Sequence, residues 1–309
     1  MMKTELSYNG YLLRMNILIT GARGQLGRTF MDLSHGSDNR FIFTDITGDG
    51  EVIALDATDA DEVRKIMEVN DVDVIINCAG YTDVNRAEDD EDMARRINAF
   101  LPEVLAAAAK EADATLIHIS TDYVFDGNSS VPYVETDKAA PLGAYARTKL
   151  EGEQVVMESG CRYLIIRTAW LYSCYGKNFF KTMESLTSER PSVNVVMDQV
   201  GTPTYAPDLA EAILHVIDND HLDKTGIYHY TDEGVCSWYD FAAAICRGFG
   251  YLCDVRPCRT EDFPSKVRRP SYSVLDKSLF KTTFGCEIPH WEDSLAVAVA
   301  DYMKMMSNK

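Results

Sequence analysis

The chain of 309 residues carries 30 Lys and Arg against 48 Asp and Glu, a net charge of −18, with 46% hydrophobic and 25% charged residues. That length buries a substantial core, which excludes a disulfide-stapled mini-fold, and the composition is too apolar for a disordered chain. So negative a field repels phosphate backbones and anionic bilayers, so neither nucleic acid nor membrane is expected as a partner; a small anionic ligand stays admissible where Arg, Lys and backbone N–H groups gather locally.

Residues 1–14 precede the first patterned segment as an N-terminal extension; with Lys3, Glu5 and Arg14 they lack the apolar run of a secretory signal. No stretch approaches the roughly 20 uncharged residues a membrane span requires. A cytoplasmic protein is expected. From Met15 short β-branched runs alternate with helical patterns. Strands are predicted over 16–20, 41–44, 72–77, 115–120 and 163–167, and helices over 24–33, 59–69, 91–111 and 145–158, with Asp59 as an N-cap. Beyond Ala169 the rhythm is less regular, with helices near 177–189, 207–217, 237–249 and 291–303 and strands near 193–196 and 227–230. Cys253 to Ser273, with three prolines and five basic residues, is expected to be a loop region. The alternation predicts an α/β fold, a Rossmann-type doubly wound parallel sheet over residues 15–168 with segments near 198–230 returning to it. Residues 169–309 are expected to form mainly a smaller substrate-binding part.

Gly21-Ala22-Arg23-Gly24-Gln25-Leu26-Gly27 follows the first strand and opens a helix. In that context Gly21 permits a tight turn, Gly24 lets a pyrophosphate approach the backbone, and Gly27 allows close helix packing, with helix N–H donors facing the phosphates. The expected ligand is a dinucleotide. Asp45, ending the second strand, would accept from adenosine ribose hydroxyls and favour NADH, whereas Arg23 would pair with a 2′-phosphate and favour NADPH. Both cofactors stay open. Asp56 is placed against the adenine, and Ala79 and Gly80 offer a small-residue wall. Gln25, Leu26, Ala57 and Tyr81 complete the expected cofactor contacts, together with Tyr145 and Lys149.

Tyr145 and Lys149 stand four residues apart, neighbours on one helix face. A nearby cation stabilises phenolate, so Tyr145 is expected to protonate a ketone oxygen as hydride arrives from a nicotinamide. Thr121 ends the fourth strand, where open α/β sheets place their crevice, and is a candidate hydroxyl donor to that oxygen. The eight cysteines show no paired spacing and the six histidines no metal-binding spacing.

The motifs Gly21–Gly27, Asn77-Cys78-Ala79-Gly80-Tyr81-Thr82, Ser120–Gly127, Pro141-Leu142 and Tyr145–Lys149 together resemble an extended short-chain dehydrogenase/reductase. Arg167 to Tyr172, Asn178-Phe179, Asp198 to Thr204 and Arg269-Pro270 extend the likeness to the dTDP-4-dehydrorhamnose reductase family. That resemblance implies catalysis by Thr121, Tyr145 and Lys149, and a nucleotide-sugar held by Thr121, Asp122, Tyr123, Trp170, Asn178 and Arg269. It implies NAD(P)H-dependent reduction of the C4 ketone of a dTDP-linked 4-keto-6-deoxy sugar to dTDP-L-rhamnose, a precursor of surface polysaccharide. Some members of the family hold magnesium at a dimer contact through a glutamate whose place is taken here by Thr29. No metal is therefore expected, and a homodimer loses the support such a site would give. Two further readings share the fold. A 4,6-dehydratase or epimerase would return its hydride within one turnover, and Tyr123 stands where dehydratases resemble one another in having a carboxylate. A regulatory subunit like that of methionine adenosyltransferase is the non-catalytic alternative.

Overall fold

The computed structural model describes residues 14–263 and 266–307, so all of the predicted extension except Arg14 lies outside the described residues. The first half alternates strand and helix: β1 (Asn16–Thr20), α1 (Gln25–Ser34), β2 (Arg40–Asp45), β3 (Ile53–Ala54), α2 (Ala60–Asn70), β4 (Val74–Asn77), α3 (Val84–Ala87) and α4 (Glu91–Arg95). A π-helical turn (Arg96–Phe100) leads into α5 (Leu101–Glu111), then come β5 (Thr115–Thr121), α6 (Ala144–Ser159) and β6 (Arg162–Thr168). The rest is built from β7 (Leu171–Tyr172), α7 (Phe179–Glu189), β8 (Ser192–Val196), β9 (Val200–Gly201), β10 (Thr204–Tyr205), α8 (Ala206–Asp218) and β11 (Gly226–His229). It ends with β12 (Cys236–Ser237), α9 (Trp238–Gly248), β13 (Asp254–Cys258), α10 (Ser278–Phe284) and α11 (Trp291–Ser307).

Seven strands form one parallel sheet in the order β11-β6-β5-β4-β1-β2-β3. Both faces are covered, which explains why β1 and β4 are near-continuous apolar runs. Ile17 and Ile19 point to one side, with Phe30, Ile213 and Phe280. Leu18 points to the other, with Ile75, Leu105 and Ile165. Each such buried side chain stabilises by about 1.5–3 kcal/mol relative to exposure. Strand order reverses between β1 and β4, and such a switch point opens a crevice at the carboxyl ends of the strands. A third apolar cluster joins Tyr172, Phe180, Phe241, Trp291 and Tyr302 among the later elements.

The single helix expected over 91–111 is broken in the middle. Pro102 has no N–H to give the Asn98 carbonyl, and the chain takes a π-helical turn over Arg96–Phe100. The Asn98 carbonyl instead lies against α6, where a Cβ on Gly152 would fall inside its contact distance. The stretch expected as a loop after Cys253 also contains structure. Asp254–Cys258 is β13, pairing in parallel with β8. Its residues are mostly exposed, so no alternation marks it, and Pro257 is tolerated because the strand belongs to a two-stranded edge. Asp59 caps α2 as expected, accepting from the N–H groups of Asp61 and Glu62 at 3.0 and 3.1 Å.

Glycine to alanine inside a helix ordinarily stabilises by about 1 kcal/mol. Gly152→Ala is expected to do the reverse, lowering stability by about 1–3 kcal/mol through overpacking against Asn98; a urea midpoint at or above the wild-type value would show that α6 and the π-turn are not in contact.

Candidate active site

The glycine loop builds the floor of the switch-point crevice. Gly21 adopts φ +67°, and a Cβ there would stand 2.7 Å from the Ala79 nitrogen, so only glycine lets β1 turn beside the end of β4. Gly24 is the N-cap of α1, and the helix start has neither a side-chain cap nor an acidic residue in its first turn. Its first N–H groups are thus free to receive an anion. Above this floor lies a cleft of about 390 Å³ lined by Gly21, Gly24, Asp45, Asp56, Ala57, Ala79 and Gly80.

Asp45 accepts from the backbone N–H of Arg23 at 2.9 Å and of Ile46 at 2.8 Å, which fixes the glycine loop to the end of β2. The Arg23 guanidinium reaches Asp49 at 2.7 Å and donates to the Thr47 carbonyl at 3.1 Å. The two residues with opposite implications for the ribose therefore meet through Arg23's backbone. Asp56 accepts from the Thr58 hydroxyl and N–H at 2.7 and 2.9 Å, and these bonds hold its carboxyl below the usual range.

A second cleft of about 550 Å³ continues from the first through Gly24, Cys78, Ala79 and Gly80. Gln25, Leu26, Thr121, Asp122, Tyr123, Tyr145, Lys149, Trp170 and Asn178 also line it. The residues expected for catalysis and most of those expected for substrate are thus brought to one place. Glu88 accepts from the Ala144 N–H at 2.6 Å and so caps the helix that presents Tyr145. Thr121 donates to Asp122 at 3.0 Å and accepts from the Tyr123 N–H at 3.2 Å.

Burial is the largest influence on Tyr145, Lys149 and Asp122. It pushes the Tyr145 phenol upward against the pull of the Thr121 hydroxyl, with the charge of Asp122 adding to the rise. The expected net lowering of the phenol is therefore not the outcome, because burial outweighs its cationic neighbour; the Lys149 ammonium itself donates to the Ile119 carbonyl at 2.6 Å. Burial pulls Lys149 itself down to about 8, and it pushes Asp122 up to about 7 against the Thr121 and Ser273 hydroxyls.

Trp170 is held at φ +48°, an uncommon conformation for a bulky residue that recurs at functional sites. Its indole stacks on Trp238 with centroids 3.5 Å apart and rings inclined by 11°. Gly201 makes room for its edge, since a Cβ would lie 2.7 Å from Cε2. Tyr123 packs edge-on against Tyr145 at 5.6 Å, and its hydroxyl accepts from Arg269 at 3.2 Å. Arg269 thus joins the site through Tyr123. Asn178 lines the cleft, yet its amide is occupied by the protein: Oδ1 caps α7 by accepting from Lys181, and Nδ2 donates to Gln25 at 2.7 Å. Tyr81 turns its ring into the cluster of Ala87, Ala144 and Tyr145, and Asn98 grips its backbone at 2.8 and 3.1 Å. Thr29 is buried and donates to the Gln25 carbonyl at 3.0 Å; among the described residues no three His, Cys, Asp or Glu side chains gather as a metal ligand set.

Glu88, Asn98 and Trp238 went unread in the sequence because each acts through a contact distant along the chain. The glycines, the uncapped helix start and the small-residue wall fit a dinucleotide, with Lys149 and Tyr145 at the far end of its groove. Among the described residues no helix is long and apolar enough to cross a membrane.

Comparison with known proteins agrees with this fold. The family model described as RmlD substrate binding domain matches residues 15–304. A dTDP-4-dehydrorhamnose reductase of Burkholderia thailandensis is 36% identical, over 94% of this chain and 99% of its own. The crystal structure of a dTDP-4-dehydrorhamnose reductase from Clostridium acetobutylicum superposes with a TM-score of 0.87 at 43% identity, covering 95% of this chain and 100% of that one. One from Bacillus anthracis, in complex with NADP, gives a TM-score of 0.88 at 36% identity, covering 94% and 100%. The family match over residues 15–304, with 36% and 43% identity to dTDP-4-dehydrorhamnose reductases over nearly the whole chain, makes this protein a member of the dTDP-4-dehydrorhamnose reductase family.

Proposed function

We propose that the protein reduces the C4 ketone of dTDP-4-dehydrorhamnose, giving dTDP-L-rhamnose, with NADPH or NADH as reductant. The observation that carries this reading is the meeting of Thr121, Tyr145 and Lys149 where the glycine-loop groove opens into the Trp170-walled cleft. When bound, the reduced nicotinamide supplies hydride to C4. Residues 15–168, with the returning segment near 198–230, are assigned to the cofactor, and residues 169–309 mainly to the nucleotide sugar.

The chain's own part is to deliver a proton and hold the geometry. Tyr145, kept protonated by burial, gives its proton to the ketone oxygen while Thr121 orients that oxygen. The phenolate left behind is costly in a buried site, and the charge on Lys149 stabilises it. Asp122, Tyr123 and Trp170 bind the sugar end, with Arg269 supporting Tyr123 and Asn178 supporting the cleft wall through Gln25. Binding energy from the remote nucleotide positions the sugar. Dehydration needs a carboxylate beside Thr121-Asp122, and Tyr123, bound to Arg269, supplies none. Retention of the whole Thr/Tyr/Lys set favours catalysis over a regulatory subunit.

Tyr145→Phe is expected to lower kcat by about 10²-fold or more with dinucleotide Kd nearly unchanged; equal turnover in a stopped assay of NADPH oxidation would remove Tyr145 from the mechanism. Burial brings two groups near neutrality, pushing Asp122 up to about 7 and Lys149 down to about 8. Both lose protons as pH rises, and only the Lys149 loss removes the charge that stabilises phenolate. The profile of kcat/KM should therefore fall above about pH 8, and Asp122→Asn should leave that fall in place; a rate still climbing at pH 9 contradicts the role of Lys149. Arg23→Ala should raise KM for NADPH by about tenfold and hardly change KM for NADH, with Asp45→Ala acting in the opposite sense. Equal effects on both cofactors would show that neither residue reads the ribose.

A further inference from the structure

Glu153 continues the face of α6 that presents Tyr145 and Lys149, the three standing at four-residue intervals, all buried. It is a fully buried carboxylate, and its partners hold it firmly. Arg167 donates from Nε and Nη2 at 2.9 and 2.6 Å, and Ser120 donates its hydroxyl at 2.5 Å. Ser120 and Arg167 are opposed in the β5–β6 register, and Ser120 directly precedes Thr121. One carboxylate thus ties together α6, the strand that ends in Thr121, and its neighbour.

Among the described residues Lys149 has only a neutral hydrogen-bond acceptor, the Ile119 carbonyl, although burial works against its charge. The charges around it are few. On α6 they are Tyr145 and Glu153; from β5 comes His118, which burial and Lys149 together keep neutral, and from the turn after it Asp122 and Tyr123. Arg167 on β6 is taken up by Glu153. The charged groups of α4 and the π-turn engage elsewhere, Glu91 and Arg95 with Arg147 and Glu151, and Arg96 with Asp56. Lys110 of α5 donates to the Ser159 carbonyl at the other end of α6. Among these, Glu153 is the negative charge that opposes the fall of Lys149.

We propose that Glu153 is a positioning residue acting through Lys149: its carboxylate, fixed by Arg167 and Ser120, keeps Lys149 in the ammonium form that stabilises the Tyr145 phenolate. The inference rests on the role given to Lys149 above. An acid placed two turns beyond the phenol is thereby part of the proton-transfer apparatus without touching substrate. It also explains why an ion pair that contributes little to stability when buried occupies this position.

The test is a pH titration of the Lys149 Cε resonance in the intact enzyme, assigned by its loss in Lys149→Met. Glu153→Gln should move the midpoint down by about one pH unit or more, with the alkaline fall of kcat/KM moving alike, whereas Glu153→Asp should keep both near their wild-type positions. If Glu153→Gln alone does not fold, Glu153→Gln with Arg167→Met removes the buried ion pair as a whole and should shift the midpoint in the same direction by less. A midpoint that stays at the wild-type value in the folded variant overturns the proposal, as does a uniform loss of rate at every pH. A wild-type enzyme that oxidises no NADPH with the keto sugar would instead overturn the proposed reaction, and the titration would still decide the action of Glu153 on Lys149.

Discussion

The structure turns on the burial of a phenol and an ammonium side by side on α6, at the mouth of a groove built for a dinucleotide. Burial acts on the two in opposite senses for the chemistry: it keeps Tyr145 protonated, and it works against the charge on Lys149. A proton donor so stabilised transfers its proton only if the resulting anion is met by a charge already in place. The architecture behind the site serves that requirement. Glu88 caps the helix, Asn98 fixes the loop beside it, and the Glu153–Arg167–Ser120 network locks α6 to β5 and β6.

The same geometry separates binding from chemistry. In the proposed reaction the glycine loop and the end of β2 would receive the adenosine half of a dinucleotide, and Trp170, backed by Trp238, lines the cleft where a sugar nucleotide would lie. Neither end needs to change for the other to vary. The strained backbone at Trp170 and the clearance left by Gly201 show how closely that wall is set.

Much of this was legible in the chain alone, for identifiable reasons. The glycine loop follows an apolar strand and opens a helix, so its meaning is local. Tyr145 and Lys149 are separated by one helical turn, so their adjacency is local too. What escaped depends on distant contacts. The π-turn arises because Pro102 withholds an N–H and Gly152 admits the freed carbonyl, a pairing across some 50 residues that no periodicity announces. Strand β13 is exposed on most of its length and so carries no alternation. The behaviour of Tyr145 differs from the expectation because burial, absent from a sequence pattern, outweighs the neighbouring charge.

The most direct measurement follows the hydride itself. NADPH deuterated at the transferable position of the nicotinamide should, with dTDP-4-dehydrorhamnose, be consumed mole for mole and leave deuterium at C4 of the product sugar. Sugar turnover without net loss of reduced cofactor, or a product free of label at C4, would contradict the account.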